Sequence, residues 1–72
     1  MTIDEALKAT RKELDISQET LARELKVSFA TLNRWENNRS KPSRLALAQL
    51  KDFAAQNKVS EEITAAIEQI RI

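Results

Sequence analysis

Apolar residues recur along the chain at intervals of three and four, the repeat of a buried helical face, in five separate runs. The first, Ile3, Ala6, Leu7, Thr10 and Leu14, predicts a helix over about residues 3–14. Its opening Thr2-Ile3-Asp4-Glu5 sets a hydroxyl three residues ahead of a glutamate, the spacing of a capping box. Asp15 and Ile16 interrupt the run. Ser17 then offers an N-cap to a second helix, Gln18 to about Leu25, with Leu21, Ala22 and Leu25 on one face. After a short break at Lys26 and Val27, Ser28 caps a third helix, Phe29 to about Asn37, whose inward stripe is Leu32 and Trp35. Asn38 to Pro42 is a polar loop, an amide-rich helix end followed by Lys41, which the next proline biases toward an extended conformation. Ser43 caps a fourth helix to about Gln56 through Leu47, Leu50, Phe53 and Ala54. Ser60 caps a fifth, in a segment of about 60–72, through Ile63, Ala66, Ile67 and Ile70. Five short helices with short connections predict an all-α fold, a compact five-helix bundle forming a single domain over residues 1–72.

Composition removes whole classes of chemistry. With Gly 0 and Pro 1, neither a P-loop nor a dinucleotide fingerprint is available. Helix ends that need a left-handed residue must take it from asparagine or aspartate, and Asp15, Asn37, Asn38 and Asn57 are the candidates. Cys 0 and His 0 exclude disulfide frameworks, thiolate or imidazole metal sites, and Cys or His catalysis, so no cofactor or metal is implied. No run approaches the roughly 20 apolar residues of a membrane span. The opening Met1-Thr2-Ile3-Asp4 lacks the basic and apolar stretches of a secretion signal, which makes a cytoplasmic setting the expectation.

The total charge is only +1, yet its placement is uneven. Residues 26–44 hold Lys26, Arg34, Arg39, Lys41 and Arg44 against Glu36, a net of +4, which leaves −3 for the rest. A cationic segment on an acidic body orients a molecule toward a polyanion. Around it, the second helix, a three-residue turn and the third helix have the layout of a helix-turn-helix unit over about residues 17–37.

Here the residues resemble a known family. The run Ser17-Gln18-Glu19-Thr20-Leu21-Ala22-Arg23-Glu24-Leu25, then Val27-Ser28, Thr31-Leu32, Trp35-Glu36-Asn37 and Lys41-Pro42, resembles the phage repressor and Cro type of helix-turn-helix, the XRE family, over about Leu7 to Val59. The resemblance implies a lambda-repressor-like domain that binds double-stranded operator DNA as a transcriptional regulator, usually as a homodimer on a palindromic site. It also implies an ion pair between Arg11 and Glu36 that ties the first and third helices together, and a loop in which Arg39, Ser40 and Lys41 lie along the sugar-phosphate backbone. The departure is Asn38, where the family typically has glycine. Asparagine tolerates that conformation, so the turn is expected to survive with a less stable helix end.

Periodicity sorts the third helix. Leu32 and Trp35 face inward, so Ser28, Phe29, Ala30, Asn33 and Arg34 project toward a groove. Phe29 is either a satellite of the core or an apolar group exposed for a thymine methyl. Arg34 offers a fork to guanine O6 and N7, or to a phosphate or a surface carboxylate. Asn33 suits an adenine edge or a phosphate, and Ala30 a methyl group. Gln18, at the start of the second helix, reaches a phosphate or is an ordinary exposed residue. Ser28 combines a cap with a phosphate contact.

Two other classes compete. The apolar residues Ile63, Ala66, Ile67, Ile70 and Ile72 either complete the core and a homodimer seam, or offer a surface for a protein-interaction module, such as an antitoxin or the DNA-guiding domain of a larger enzyme. An enzyme is the weakest class: Glu61-Glu62 and Glu13-Asp15 read as solvated faces, without the apolar setting that raises a carboxyl pKa, and no small-molecule substrate is indicated.

Overall fold

The computed structural model describes residues 1–70, and the expectation for Ile72 lies outside them. Helices α1 (Ile3–Leu14), α2 (Gln18–Glu24), α3 (Phe29–Glu36), α4 (Arg44–Gln56) and α5 (Glu61–Gln69) follow one another, with no strand among the described residues. Every helix starts at a serine or threonine. Backbone N–H groups of Thr20, Thr31 and Ala46 donate to Ser17, Ser28 and Ser43 Oγ at 3.0, 3.1 and 3.2 Å, each satisfying one of the free donors that a helix start leaves. At α1, Glu5 Oε1 accepts from the Thr2 N–H at 2.9 Å and from its hydroxyl at 3.0 Å. These two bonds hold the Glu5 carboxyl below its ordinary value.

The start of α5 corrects the sequence-based expectation. Ser60 occupies the N-cap position, but its side chain makes no capping bond. Its backbone N–H instead donates to Glu13 Oε2, from the end of α1. Glu13 thus links two helices 47 residues apart in sequence, in addition to lying on a solvated face. Helix α5 also ends sooner than its apolar run: Ile70 is extended (φ −72°, ψ 130°), and the last turn of the helix itself carries Glu68 and no basic residue.

Four helix ends share one design. Asp15, Lys26, Asn38 and Lys58 adopt φ of 55°, 61°, 58° and 55°, the left-handed region. At each, two consecutive N–H groups turn back onto the helix's last free carbonyls, as when Lys26 N–H meets Arg23 O at 3.1 Å and Val27 N–H meets Ala22 O at 3.0 Å. After three of these residues comes an apolar one, Ile16, Val27 or Val59, which the reversal returns to the core. Two of the four expected positions are therefore corrected. Asn37 (φ −97°) and Asn57 (φ −96°) stay on the right-handed side as C-caps, and each donates its side-chain amide to the carbonyl four residues back, at 2.8 Å.

Helix α3 packs on α1 and α2, and α5 packs on α4 and α1. Leu7, Leu21, Leu25, Leu32, Leu50 and Ile67 fill the centre, fully buried. Burying such side chains contributes roughly 1.5–3 kcal/mol each, the main source of stability in a chain without disulfides. Thr10 is buried without loss because its hydroxyl donates to the Ala6 carbonyl at 2.8 Å. In α5, Ile63 and Ile67 are buried and Ile70 packs against the core, while Ala66 is half-buried. No helix is long and apolar enough to cross a membrane among the described residues.

Candidate nucleic-acid interface

The turn between α2 and α3 gives each residue one task. Leu25 closes α2 and is buried, Lys26 reverses the chain, Val27 re-enters the core, and Ser28 opens α3. With every backbone direction fixed by a bond or by burial, the angle between the two helices has little freedom.

Helix α3 is then held from behind. Leu32 and Trp35 are buried, and Glu36, only 3% exposed, accepts two bonds from Arg11: Nε to Oε2 at 2.8 Å and Nη2 to Oε1 at 2.6 Å. This fork-to-fork geometry fixes direction as well as distance. It also removes the one anion of the 26–44 segment from the electrostatic account. Lys26, Arg34, Arg39, Lys41 and Arg44 all remain exposed, and Arg11–Glu36 is the sole salt bridge among the described residues.

The outward side of α3 carries Phe29, 52% exposed, together with exposed Ala30 and Arg34 and half-buried Thr31 and Asn33. Phe29 lies outside the core cluster. Ser28 is exposed beside them, and its hydroxyl donates to Thr31 Oγ1 at 2.8 Å. That bond spends the Ser28 proton and leaves the Thr31 hydroxyl its own for an outside acceptor. Arg39, Ser40 and Lys41 are exposed in the loop that follows, and buried Pro42 pins its far end.

Asn33 does not stand alone. Its Nδ2 donates to Gln18 Oε1 at 3.2 Å, across the gap between α2 and α3. Asn37 Nδ2 donates to both the Asn33 backbone oxygen, at 2.8 Å, and its Oδ1, at 3.0 Å. Sequence reasoning placed Gln18 and Asn33 near the same ligand but did not find this chain of amides. It also passed over Thr31 and Leu45. Leu45 is 69% exposed in the first turn of α4, off the inward stripe of Ala46, Leu47, Leu50 and Ala54, and that helical offset was the available signal.

The arrangement offers hydrogen-bond donors, cations and one aromatic ring on a single rigid helix and its flanks. No metal-holding cluster of acidic side chains is present among the described residues. A family model described as helix-turn-helix matches residues 7–53, a span that contains α2, α3 and the five exposed cations of the 26–44 segment. No curated protein and no solved structure matches the chain.

Proposed function

The chain belongs to the helix-turn-helix family of the phage repressor and Cro type, whose members bind DNA through this unit, and from that premise we propose that it is a sequence-specific transcriptional regulator reading the major groove with α3. The observation that carries the proposal is the outward face of α3, where Phe29, Ala30 and Arg34 stand clear of the core on a helix braced by Arg11 and Glu36. On this reading Arg34 donates to guanine O6 and N7, while Phe29 and Ala30 meet thymine methyl groups, with Asn33 on the same face. Gln18, Ser28, Arg39, Ser40 and Lys41 hold phosphates and set the register without reading bases. Two copies on a palindrome, as the family resemblance implies, would set two such helices about one helical turn of DNA apart.

Binding measured by fluorescence anisotropy on short duplexes at stepped salt tests the proposal. Neutralising several phosphates predicts an affinity that falls steeply and log-linearly with salt. Affinity for every duplex weaker than about 10⁻⁴ M at physiological salt would refute it.

A further inference from the structure

The amides of Asn37, Asn33 and Gln18 form a chain with a direction, and a single backbone carbonyl sets it. The Asn33 carbonyl can only accept, so Asn37 must turn its Nδ2 toward it, as the 2.8 Å bond requires. The same Nδ2 lies 3.0 Å from Asn33 Oδ1, so that atom is the acceptor end of the Asn33 amide. Asn33 therefore presents its Nδ2 to Gln18, and Gln18 must answer with Oε1, at 3.2 Å. With its oxygen engaged inside the protein, the Gln18 amide is left with Nε2, a group that only donates. A phosphate oxygen only accepts.

We infer that Asn33 and Asn37 are positioning residues that orient the Gln18 amide as a donor to the DNA backbone, and that Asn33 does not read a base. The inference rests on the DNA-binding reading above. An adenine edge would use Oδ1 and Nδ2 of Asn33, the two atoms that already hold Asn37 and Gln18. Each atom keeps a second proton or lone pair, but rotating the amide so that both face one base edge moves it off the alignment that the Gln18 and Asn37 bonds set. Held in place, it carries the orientation from the end of α3 to the start of α2, so a contact on one helix depends on a residue near the end of the other.

The test is a double-mutant cycle in the full chain, on a duplex selected by the unaltered protein. Gln18→Ala is expected to weaken binding about tenfold, the scale of one hydrogen bond to a charged acceptor. Asn33→Ala should reproduce most of that loss, add little in the Gln18→Ala background, and leave the preferred sequence unchanged. Asn37→Ala should behave like a weaker Asn33→Ala. In the free protein, side-chain amide NMR should show Gln18 ordered, and more mobile once Asn33 is alanine. The inference fails if Asn33→Ala relaxes one base position, if the two losses simply add, or if Gln18 is equally mobile in both proteins. Failure of the unaltered protein to bind any duplex would instead sink the DNA-binding reading, and this inference with it.

Discussion

Arg11 grips Glu36 through two nearly parallel hydrogen bonds, at 2.8 and 2.6 Å, across 25 residues of sequence. The partners differ in their access to water: the Arg11 side chain is 26% exposed, Glu36 only 3%. Removing the arginine strands a carboxylate where water cannot replace the lost donors, whereas altering the glutamate leaves a guanidinium that water can reach. Arg11→Met is therefore expected to cost about 2–3 kcal/mol, and Glu36→Gln distinctly less. Urea unfolding followed by the fluorescence of buried Trp35, the single tryptophan of the chain, measures both. Equal losses would show that the asymmetry of burial does not govern the pair.

Lysine in the left-handed region, at positions 26 and 58, is an unrelieved local cost in a chain without glycine. Lys58 lies far in sequence from the α2–α3 unit, so it isolates the backbone effect. Lys58→Gly removes a steric penalty of about 1–2 kcal/mol and returns part of it as unfolded-chain entropy, for a net gain of about 0.5–1 kcal/mol. In a domain of this size that raises Tm by about 2–8 °C. A lowered Tm would contradict the backbone geometry assigned to that helix end.

The capping box at Thr2 gives the acid limb of stability a defined contributor. Because Thr2 lowers the Glu5 pKa in the folded state, the carboxylate stabilises the protein above its ordinary value of 4.5, and the contribution is lost as pH falls through the folded value. Glu5→Gln should thus lower stability by a constant amount at neutral pH. The gap to the unaltered protein should close as pH drops below 4.5. A gap that persists unchanged into acid would show that charge at position 5 is irrelevant.

Phe29 separates folding from binding. At 52% exposure and outside the core cluster, its removal should change stability by no more than about 0.5 kcal/mol. If it meets a thymine methyl, Phe29→Ala should weaken binding to a selected duplex by about 1 kcal/mol or more and relax preference at one A·T position. A large stability loss without a change in preference would return Phe29 to the role of a core satellite.

Helix starts were legible in the sequence because each is written locally, in a serine or threonine followed by its periodic run. Helix ends were less so. Choosing asparagine and aspartate by propensity found Asp15 and Asn38 but missed Lys26 and Lys58, because what fixes the reversal is the next residue, Val27 or Val59, returning to the core. Burial outweighed the preference of lysine for right-handed backbone. The site shows the same division. The outward residues of α3 follow from its period. The links from Glu13 to Ser60 and from Asn33 to Gln18 join segments whose approach is decided only by packing, whereas the step from Asn37 to Asn33 is one helical turn at the end of α3.

The central claim is that α3 reads base edges while the following loop only holds the backbone, and a selection from random duplexes with the unaltered chain, Arg34→Ala and Lys41→Ala tests it most directly. The unaltered chain should enrich one palindromic sequence. Arg34→Ala should lose preference at a single G·C position at a cost of about 1–3 kcal/mol, and Lys41→Ala should enrich the same sequence with uniformly weaker binding. No enriched sequence with the unaltered chain, or a preference that Arg34→Ala leaves intact, would contradict the account.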